Sequence, residues 1–151
     1  MAIIADTGAL LAMSDEDDDY HRIVVRFITS IKEAVIVPSP VVGELCYMLL
    51  ENLGTEAELN FLRSLAKREM LLEHFTHHDL DRAIEILEQY RDAEFGVVDA
   101  LTMAMAERLK IKTILTIDRR DFSLFRPRHC DAFTLVPDLP PGKTNKQKAG
   151  V

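Results

Sequence analysis

Short apolar runs alternate along this chain with longer segments of helical periodicity, and this alternation restricts the fold more than any other feature. Each run is long enough for a buried strand and too short for a typical helix. The strand candidates are Ala2–Asp6, Ala34–Val37, Met70–His74, Lys112–Ile117 and Ala132–Val136. Strands that alternate with helices indicate a parallel sheet covered by helices on both faces. We therefore predict an α/β fold, an α/β/α sandwich with a central parallel sheet of about five strands.

Local signals mark where two of the intervening helices begin. Ser39 followed by Pro40 predicts an N-cap serine with a proline in the first turn. Thr55 and Glu58 predict a capping box for the next helix. Together with the apolar periodicity, these signals predict helices over residues 41–53, 55–67, 79–90 and 96–109.

The composition fits one soluble domain without a generally basic surface. The chain has 151 residues, of which 48% are apolar and 28% charged, and its formal net charge is −7. The length is that of one ordinary domain, and the acidic balance argues against a protein that coats nucleic acid. After Pro137 the sequence becomes polar and rich in Pro, Gly and Lys. We predict a domain over residues 1–137 and a flexible tail over residues 138–151.

Several other kinds of protein and site lack the residues that they need. No apolar run approaches the roughly 20 residues of a membrane span, and the N-terminal run is interrupted by Asp6 and has no basic leader. Cys46 and Cys130 are far apart and outside any zinc-ligand spacing. The acidic run Asp15–Asp19 is followed by Tyr20 where a calcium loop needs glycine. We therefore expect a cytoplasmic protein with two reduced thiols, outside the membrane.

Four acids occupy positions that a parallel sheet would bring together. Asp6 and Asp118 each end or follow a predicted strand, and ligands bind beyond the carboxyl ends of the strands in an open parallel sheet. Glu44 lies about one turn into the helix after the second strand. Asp99 lies in the first turn of the helix that begins near Gly96. Because helices that follow strands begin at this same edge, the four carboxylates are candidates for one pocket.

Each of these acids, taken alone, also has an ordinary structural explanation. An acid in a first helical turn stabilises the helix dipole, and an acid after a strand is often a cap or a turn residue. Taken together they favour a site, because Glu44 and Asp99 stand between apolar neighbours, where an unpaired carboxylate is costly. Clustered carboxylates need a cation, and oxygen ligands favour Mg²⁺ or Mn²⁺.

The segments around these acids carry a resemblance to a known family. The principal ones are Ala5–Leu11, Val42–Leu45, Gly96–Thr102 and Leu115–Phe122, the last of which includes Thr-Ile-Asp-Arg-Arg-Asp-Phe. In this order they resemble the PIN-domain ribonucleases, most closely the VapC-type toxins of bacterial and archaeal toxin–antitoxin pairs. The resemblance covers residues 1 to about 137, so it implies a PIN fold for the whole predicted domain.

The resemblance implies a metal-dependent endoribonuclease whose products carry 5′-phosphate and 3′-hydroxyl ends. The acids of the family map onto Asp6, Glu44, Asp99 and Asp118, which would be the catalytic residues and the ligands of Mg²⁺ or Mn²⁺. Two-metal chemistry, in which one ion activates a water and the other stabilises the leaving oxygen, needs no histidine base.

Other residues near the matching acids are candidates for supporting roles. Thr7 maps onto the hydroxyl that the family has beside its first acid, and Thr116 and Asp121 are candidates for the outer shell of the metal site. Asp121 is equally well explained as the cap of the turn over Phe122–Phe125. Asp92 matches an acid common in the family, and its role stays open.

The resemblance also implies an RNA substrate, a homodimer and a cognate VapB-type antitoxin whose C-terminal segment fills the active-site groove. An acidic protein needs local basic groups to hold a polyanion. The candidates for phosphate contacts follow Asp118, and they are Arg119, Arg120, Arg126 and Arg128, with His129 beside them. A solvated loop is the alternative explanation of this stretch.

Other functions compatible with the fold stay open at this point. They are a PIN-fold RNA-processing nuclease outside a toxin–antitoxin pair and a non-catalytic interaction module. A phosphotransfer domain also places an acid after the first strand, but the second acid two positions after Asp6 is missing. Cleavage of RNA that is lost with a chelator would distinguish the metal-dependent nuclease from the interaction module and from the phosphotransfer domain.

Overall fold

The structure is a computed structural model that describes residues 1–141, and these residues form one sheet with helices on both faces. The five strands are β1 (Ala2–Ala5), β2 (Ala34–Pro38), β3 (Leu71–Glu73), β4 (Thr113–Leu115) and β5 (Thr134–Val136). Their order across the sheet is β3-β2-β1-β4-β5, and every neighbouring pair is parallel. The predicted α/β/α sandwich with a five-stranded parallel sheet is confirmed.

Helices fill the connections between the strands. They are α1 (Thr7–Ser14), α2 (His21–Ser30), α3 (Ser39–Leu53), α4 (Thr55–Ala66), α5 (His77–Gln89), α6 (Val97–Leu109) and α7 (Arg120–Leu124), with a 3-10 helix over Arg91–Ala93. We call the edge at which the parallel strands end the carboxyl edge, and the opposite one the amino edge. Since α6 ends shortly before β4 begins, its last turn lies at the amino edge and its first turn at the carboxyl edge.

The central strand β1 faces two separate cores. Ile3 and Ala5 belong to a buried cluster that includes side chains of α1 to α4, and Ile4 belongs to a second cluster with α5, α6 and α7. Successive side chains of a strand point to opposite faces, so a run that is apolar throughout can be buried on both. This is why β1 shows no alternation of polar and apolar residues in the sequence.

Both helix caps that the sequence predicted are absent from the structure. Ser39 is itself the first residue of α3, after Pro38 in an extended conformation, and its hydroxyl accepts a hydrogen bond from the N–H of Phe75 at 3.2 Å. Thr55 is the first residue of α4 and caps nothing. Gly54, at φ +91°, ends α3 and precedes α4, so the chain turns through glycine without a side-chain cap.

A capping box does form at the start of α5, a helix that the sequence predicted from residue 79 and without a cap. The hydroxyl of Thr76 accepts from the N–H of Asp79 at 3.1 Å, and the carboxylate of Asp79 accepts from the N–H of Thr76 at 2.9 Å. These two residues have the spacing of the motif. The prediction missed it because the apolar periodicity alone set the start of the helix at residue 79.

The chain past β5 stays in contact with the domain over its described part. Pro137 is buried, and Leu139 packs against the cluster that contains Ile3 and Ala5. The rest of the predicted tail, residues 142–151, lies outside the described residues, so the boundary at residue 137 stays a prediction. In residues 1–141 no helix is long and apolar enough to cross a bilayer.

Candidate active site

Asp6 lies at the carboxyl edge in the centre of the sheet and is held there by backbone contacts. It follows β1 directly, and its N–H donates to the carbonyl oxygen of Leu115 on β4 at 3.0 Å. Its carboxylate caps α1, because Oδ1 accepts from the N–H of Ala9 at 3.1 Å. The side chain is only 8% exposed. Strand end and helix cap thus fix one buried carboxylate at the place where a parallel sheet binds its ligands.

Thr116 orients the second oxygen of this carboxylate. Its hydroxyl is buried, lies 2.5 Å from Oδ2 of Asp6 and 3.1 Å from the carbonyl oxygen of Asp118, and can donate to either acceptor. Its own N–H donates to the carbonyl oxygen of Val136 at 3.0 Å, which continues the pairing of β4 with β5. Thr116 therefore connects the first acid to the segment that carries Asp118, and its place in the outer shell of a metal site stays a prediction.

The pKa of Asp6 is raised from 3.8 to about 6. Burial is the largest cause, the hydrogen bonds from Thr116 and Ala9 oppose it, and the negative charges of Asp118 and Glu44 raise the pKa further. The donors to Asp6 are neutral groups, and the acids next to it repel its charge. A cation near Asp6 would remove that repulsion, so the electrostatics of this edge favour metal binding.

The four predicted acids all lie on segments that begin or end at the carboxyl edge. Asp118 follows β4 and is half-buried, Asp99 is half-buried in the first turn of α6, and Glu44 lies in the second turn of α3. Glu44 is solvent-exposed, contrary to the expectation from its apolar neighbours in the sequence. Its neighbours Val41 and Leu45 are buried in the core, so Glu44 lies beside the buried face of α3 and its carboxylate is directed to solvent.

The oxygen ligands at this edge are of the kind that a divalent ion prefers. Their side chains do not, however, surround a common point in the structure. Across residues 1–141, no group of three or more Asp, Glu, His or Cys side chains is arranged to hold a metal ion. Beside Asp6, however, the hydroxyl oxygen of Thr7 is buried and has no hydrogen-bond partner within these residues. A buried carboxylate with a raised pKa and an unsatisfied neighbouring hydroxyl are what a hard cation and its waters would satisfy.

Two further acids near this edge have different surroundings. Asp121 is buried in the first turn of α7 and accepts a hydrogen bond from Nη1 of Arg120 at 2.8 Å. Asp92 is exposed on the 3-10 helix. Asp121 thus has a structural partner in addition to its candidacy for the metal site.

The arginines predicted to hold RNA do not lie on one surface. Arg119 is next to the acids, where its Nε donates to the carbonyl oxygen of Thr116 at 3.0 Å and its Nη2 donates to that of Pro137. Arg120 donates to the carbonyl oxygen of Ala93 at 3.0 Å. Arg128 lies at the amino edge instead. These arginines are close in sequence but not in the structure, because α7 and the loop after it run from the carboxyl edge to the amino edge.

Arg126 lies between these two positions. Its guanidinium donates to the carbonyl oxygen of Ser123 at 2.7 Å, and its N–H donates to the hydroxyl of Tyr90 at 3.0 Å. It is exposed. Its role in RNA binding, like that of the other arginines, stays a prediction.

The amino edge contains buried charges that the sequence analysis did not identify. Arg82 donates from Nε and Nη2 to the two carboxylate oxygens of Glu107, at 2.7 and 3.1 Å. Arg108 donates from Nε to both oxygens of Asp79, each at 3.0 Å. Each pair joins α5 to α6 across a separation in sequence that no local pattern reveals. The only sequence signal that involves any of these four residues is the Thr76-x-x-Asp79 spacing, and this spacing indicates a helix cap and not an ion pair.

Comparison with known proteins identifies the class to which this fold and site belong. The PIN domain family matches residues 3–126. Ribonuclease VapC26 of Mycobacterium tuberculosis is 38% identical over 135 residues, which make up 89% of this chain and 100% of the relative. The chain therefore belongs to the PIN-domain family, and the resemblance to VapC-type proteins that the motifs indicated is confirmed.

Solved structures support the same fold. VapC20 of Mycobacterium tuberculosis, described as a Sarcin-Ricin loop cleaving toxin, has a TM-score of 0.71 and 24% identity over 75% of this chain and 87% of its own. VapBC2 of Rickettsia felis, bound to a promoter DNA fragment, has a TM-score of 0.65 and 18% identity over 90% of this chain and 98% of its own. FitAcB of Neisseria gonorrhoeae has a TM-score of 0.64 and 19% identity over 89% and 97%. At these identities the comparison concerns the fold alone.

Proposed function

We propose that this protein is an Mg²⁺- or Mn²⁺-dependent endoribonuclease that acts as the toxin of a VapBC-type toxin–antitoxin pair. The single observation that carries the proposal is the buried carboxylate of Asp6, whose pKa is raised to about 6 by burial and by Asp118 and Glu44. The PIN family match and the VapC26 relative support the choice of RNA as substrate.

The carboxylates have separate roles in this proposal. Asp6, Asp99 and Asp118 would hold the divalent ion, and Glu44 would complete the site directly or through water. When bound, such an ion supplies a water nucleophile of lowered pKa and charge that stabilises the leaving oxygen. Asp6 is already oriented for this task by the N–H of Ala9 and the hydroxyl of Thr116. Below pH 6 its protonation would weaken the site, so activity should fall as the solution becomes acidic.

Arg119 is the predicted RNA contact that has the best position. It is half-buried, and burial lowers the pKa of its guanidinium while the charges of Asp138, Asp6 and Tyr20 raise it. A phosphate group next to the acids would be within reach of this fixed cation. Arg120 lies on the next position and is exposed.

An antitoxin partner has support from a groove between α2 and α4. A cavity of about 610 Å³ is lined there by apolar side chains, including Ile28, Phe61 and Met70, and by the acids Asp15 and Glu69. An antitoxin segment with apolar anchors and basic side chains would complement this lining. Several structural neighbours are toxin–antitoxin complexes, which supports a VapB-type partner.

The proposed assembly and location also rest on surface features. Exposed apolar side chains on α3 and α5, such as Tyr47, Leu50 and Ile84, support a homodimer.

Cys46 and Cys130 are free thiols, which supports a cytoplasmic location.

An RNA cleavage assay with a matched pair of variants tests the function. Purified protein is incubated with RNA in Mg²⁺ or Mn²⁺, with and without a chelator, and fragments are mapped by their 5′ ends. We expect cleavage by the native protein, loss of cleavage with the chelator, and loss in Asp99→Asn, because a neutral amide binds Mg²⁺ poorly. Asp81→Asn, which changes an exposed acid of α5, is the control and should cut normally.

Binding of the ion is measured separately by thermal unfolding. Mn²⁺ should raise the melting temperature of the native protein and of Asp81→Asn more than that of Asp99→Asn, through linkage. An Asp99→Asn variant that still cuts RNA would remove this acid from the catalytic set. Cleavage that survives the chelator would contradict the metal dependence.

A further inference from the structure

A cavity at the amino edge, on the opposite side of the sheet from the acids, has the charges of an anion site. It has a volume of about 280 Å³ and lies between the start of α5, the end of α6 and the loop before β5. Asp99 and Glu107 are both on α6, about two turns or about 12 Å apart, so the cavity is separate from the carboxylate cluster. The volume is sufficient for a phosphate group with part of its attached nucleoside or linker.

The floor of this cavity is formed by ion pairs that satisfy its own acids. Glu107 is held by Arg82, and it also accepts from the N–H of Arg128 at 2.9 Å. Asp79 is held by Arg108 and by the capping box of α5. Each carboxylate is therefore balanced by an arginine of its own, and the charge of Glu107 also attracts that of Arg128.

Two exposed cations remain at the rim, and neither has a strong partner. Arg128 approaches Glu85 at 3.4 Å, but these side chains are 64% and 57% exposed, and such a surface pair contributes little. Lys110 lines the cavity and makes no ion pair within the described part of the chain. In a protein with a net charge of −7, the unpaired Lys110 and the weakly paired Arg128 over a concave surface make a local positive site.

A histidine in the wall leaves a buried atom without a partner. Nε2 of His129 lies 2.7 Å from the carbonyl oxygen of Ile111, so this nitrogen carries the proton and donates it. Its Nδ1 is buried and has no hydrogen-bond partner in residues 1–141. A phosphate that retains one hydroxyl could donate it to Nδ1, whereas a cation would be repelled by Lys110 and Arg128.

The helix ends at this cavity act in opposite directions. The first turn of α5 brings the positive end of its dipole to the wall through His78, and the last turn of α6 brings a negative end. Arg108 and Lys110 lie in and after that last turn, where their charges offset the carbonyl groups. The two helix ends therefore offset each other, and the sign of the site is set by the cations Lys110 and Arg128.

We propose that this cavity is a phosphate-binding site in which Lys110, Arg128 and His129 contact the phosphate oxygens. The phosphate belongs either to the backbone of a bound RNA, which would then touch the protein at both edges of the sheet, or to a free phosphate compound. The site does not use the acids of the proposed nuclease centre, so either proposal can fail without the other. In this proposal Arg128 contacts a phosphate group at the amino edge, away from the acids.

The test compares Lys110→Ala/Arg128→Ala with the control Arg22→Ala/Lys67→Ala, which removes the same charge from exposed positions outside the cavity. Inorganic phosphate is titrated against chloride at constant ionic strength, and the melting temperature is recorded. We expect phosphate to raise the melting temperature of the native protein and the control, and to leave the Lys110/Arg128 variant unchanged. Arg128→Gln alone should show a partial loss.

A fluorescent single-stranded RNA, bound in the presence of a chelator, identifies the source of the phosphate. If RNA uses the site, the plot of log affinity against log salt should lose about 1.4 in slope in the Lys110/Arg128 variant, at about 0.7 for each lost contact to a single strand. An unchanged slope together with a lost phosphate response assigns the site to a free phosphate compound. If the variant matches the control in both measurements, the proposal is overturned.

The nuclease centre is followed by RNA cleavage. Cleavage of an RNA too short to reach the amino edge should be equal in Lys110→Ala, which is outside the residues predicted to hold RNA at the acids, and in the control Lys67→Ala. Asp99→Asn should keep the phosphate response while it loses cleavage. These two results distinguish a failure of the phosphate site from a failure of the proposed function.

Discussion

The two edges of the sheet use the same kind of residue in opposite ways. At the amino edge, Glu107 is buried and burial raises its pKa, but the hydrogen bonds from Arg82 and from the N–H of Arg128 outweigh burial and lower it. At the carboxyl edge, Asp6 receives hydrogen bonds only from neutral groups, and its pKa is raised to about 6. Glu107 is neutralised by direct hydrogen bonds from Arg82, whereas the direct donors to Asp6 are the neutral N–H of Ala9 and hydroxyl of Thr116.

This contrast separates structural acids from functional ones. Neutralising a carboxylate that is paired within the fold is costly, because it leaves the charge of its partner buried and uncompensated. A buried carboxylate among like charges costs stability, and such groups concentrate at functional sites. The sign of the stability change on neutralisation therefore distinguishes the two edges, and the predictions below use it.

The largest effect is expected at the amino edge. Glu107→Gln removes the charge that balances the buried Arg82 and weakens the contact with Arg128, so we expect the free energy of unfolding to fall by about 3–5 kcal/mol. Urea unfolding at pH 7 measures this loss. The exposed pair partner Glu85, changed to Gln, is the control and should alter stability by less than about 0.5 kcal/mol. If Glu107→Gln left the free energy of unfolding unchanged, the difference between Glu107 at the amino edge and Asp6 at the carboxyl edge would be contradicted.

The same kind of change at the carboxyl edge should have the opposite sign. The folded-state pKa of Asp6 lies above its ordinary value, so ionisation opposes folding, and this penalty grows as pH rises from 3.8 through about 6. Asp6→Asn should therefore stabilise the metal-free protein above pH 6, by at most about 3 kcal/mol at about 1.4 kcal/mol for each pH unit. The amide oxygen can still accept from the N–H of Ala9, and the amide NH2 can donate to the hydroxyl of Thr116, which then donates to the carbonyl oxygen of Asp118.

Unfolding of Asp6→Asn and native protein in chelator, followed from pH 4.5 to pH 8, measures this dependence. The gain should shrink steadily as the pH falls towards the ordinary pKa of an aspartate. A variant that is less stable than the native protein at pH 7 would show that the hydrogen bonds of Asp6 outweigh the repulsion, and would make it a structural acid like Glu107.

An intermediate effect is expected for the hydroxyl that orients Asp6. Thr116→Val removes a donor to a charged group without changing the shape of the side chain, so stability at pH 7 should fall by about 2 kcal/mol. The pKa of Asp6 should rise further, because the hydrogen bond that lowers it is lost. Thr116→Ser keeps the hydroxyl and should restore most of both properties. Equal behaviour of Val and Ser at this position would contradict the role given to Thr116.

The smallest effect concerns the capping box that holds Asp79 at the amino edge. Thr76→Ala removes the cap of α5 and should cost about 1 kcal/mol, measured by thermal or urea unfolding. Thr55→Ala changes a residue that the sequence marks as a cap and the structure does not, so it is the matched control and should be close to neutral. Equal losses would show that α4 is capped in solution as its sequence suggested.

The sequence by itself determined the fold class and the positions of the acids. Apolar runs such as the one over β1 can be buried on both faces only in a sheet covered by helices, and the alternation with helical segments left few other arrangements. Asp6, Asp99 and Asp118 were placed correctly at the carboxyl edge, because in a parallel sheet all strands end at that edge.

Only the tertiary structure decided which charges meet. Glu44 is exposed although its sequence neighbours are buried, since a helix turns adjacent residues in different directions. Arg119 lies at the carboxyl edge and Arg128 at the amino edge. Arg82 pairs with Glu107, although no sequence motif connects these two residues. Pairing of charges depends on distances between segments that are remote in the chain, and the strength of each pair depends on burial. Neither quantity is encoded in local sequence, which is why the ion pairs and the phosphate cavity became visible only in the folded structure.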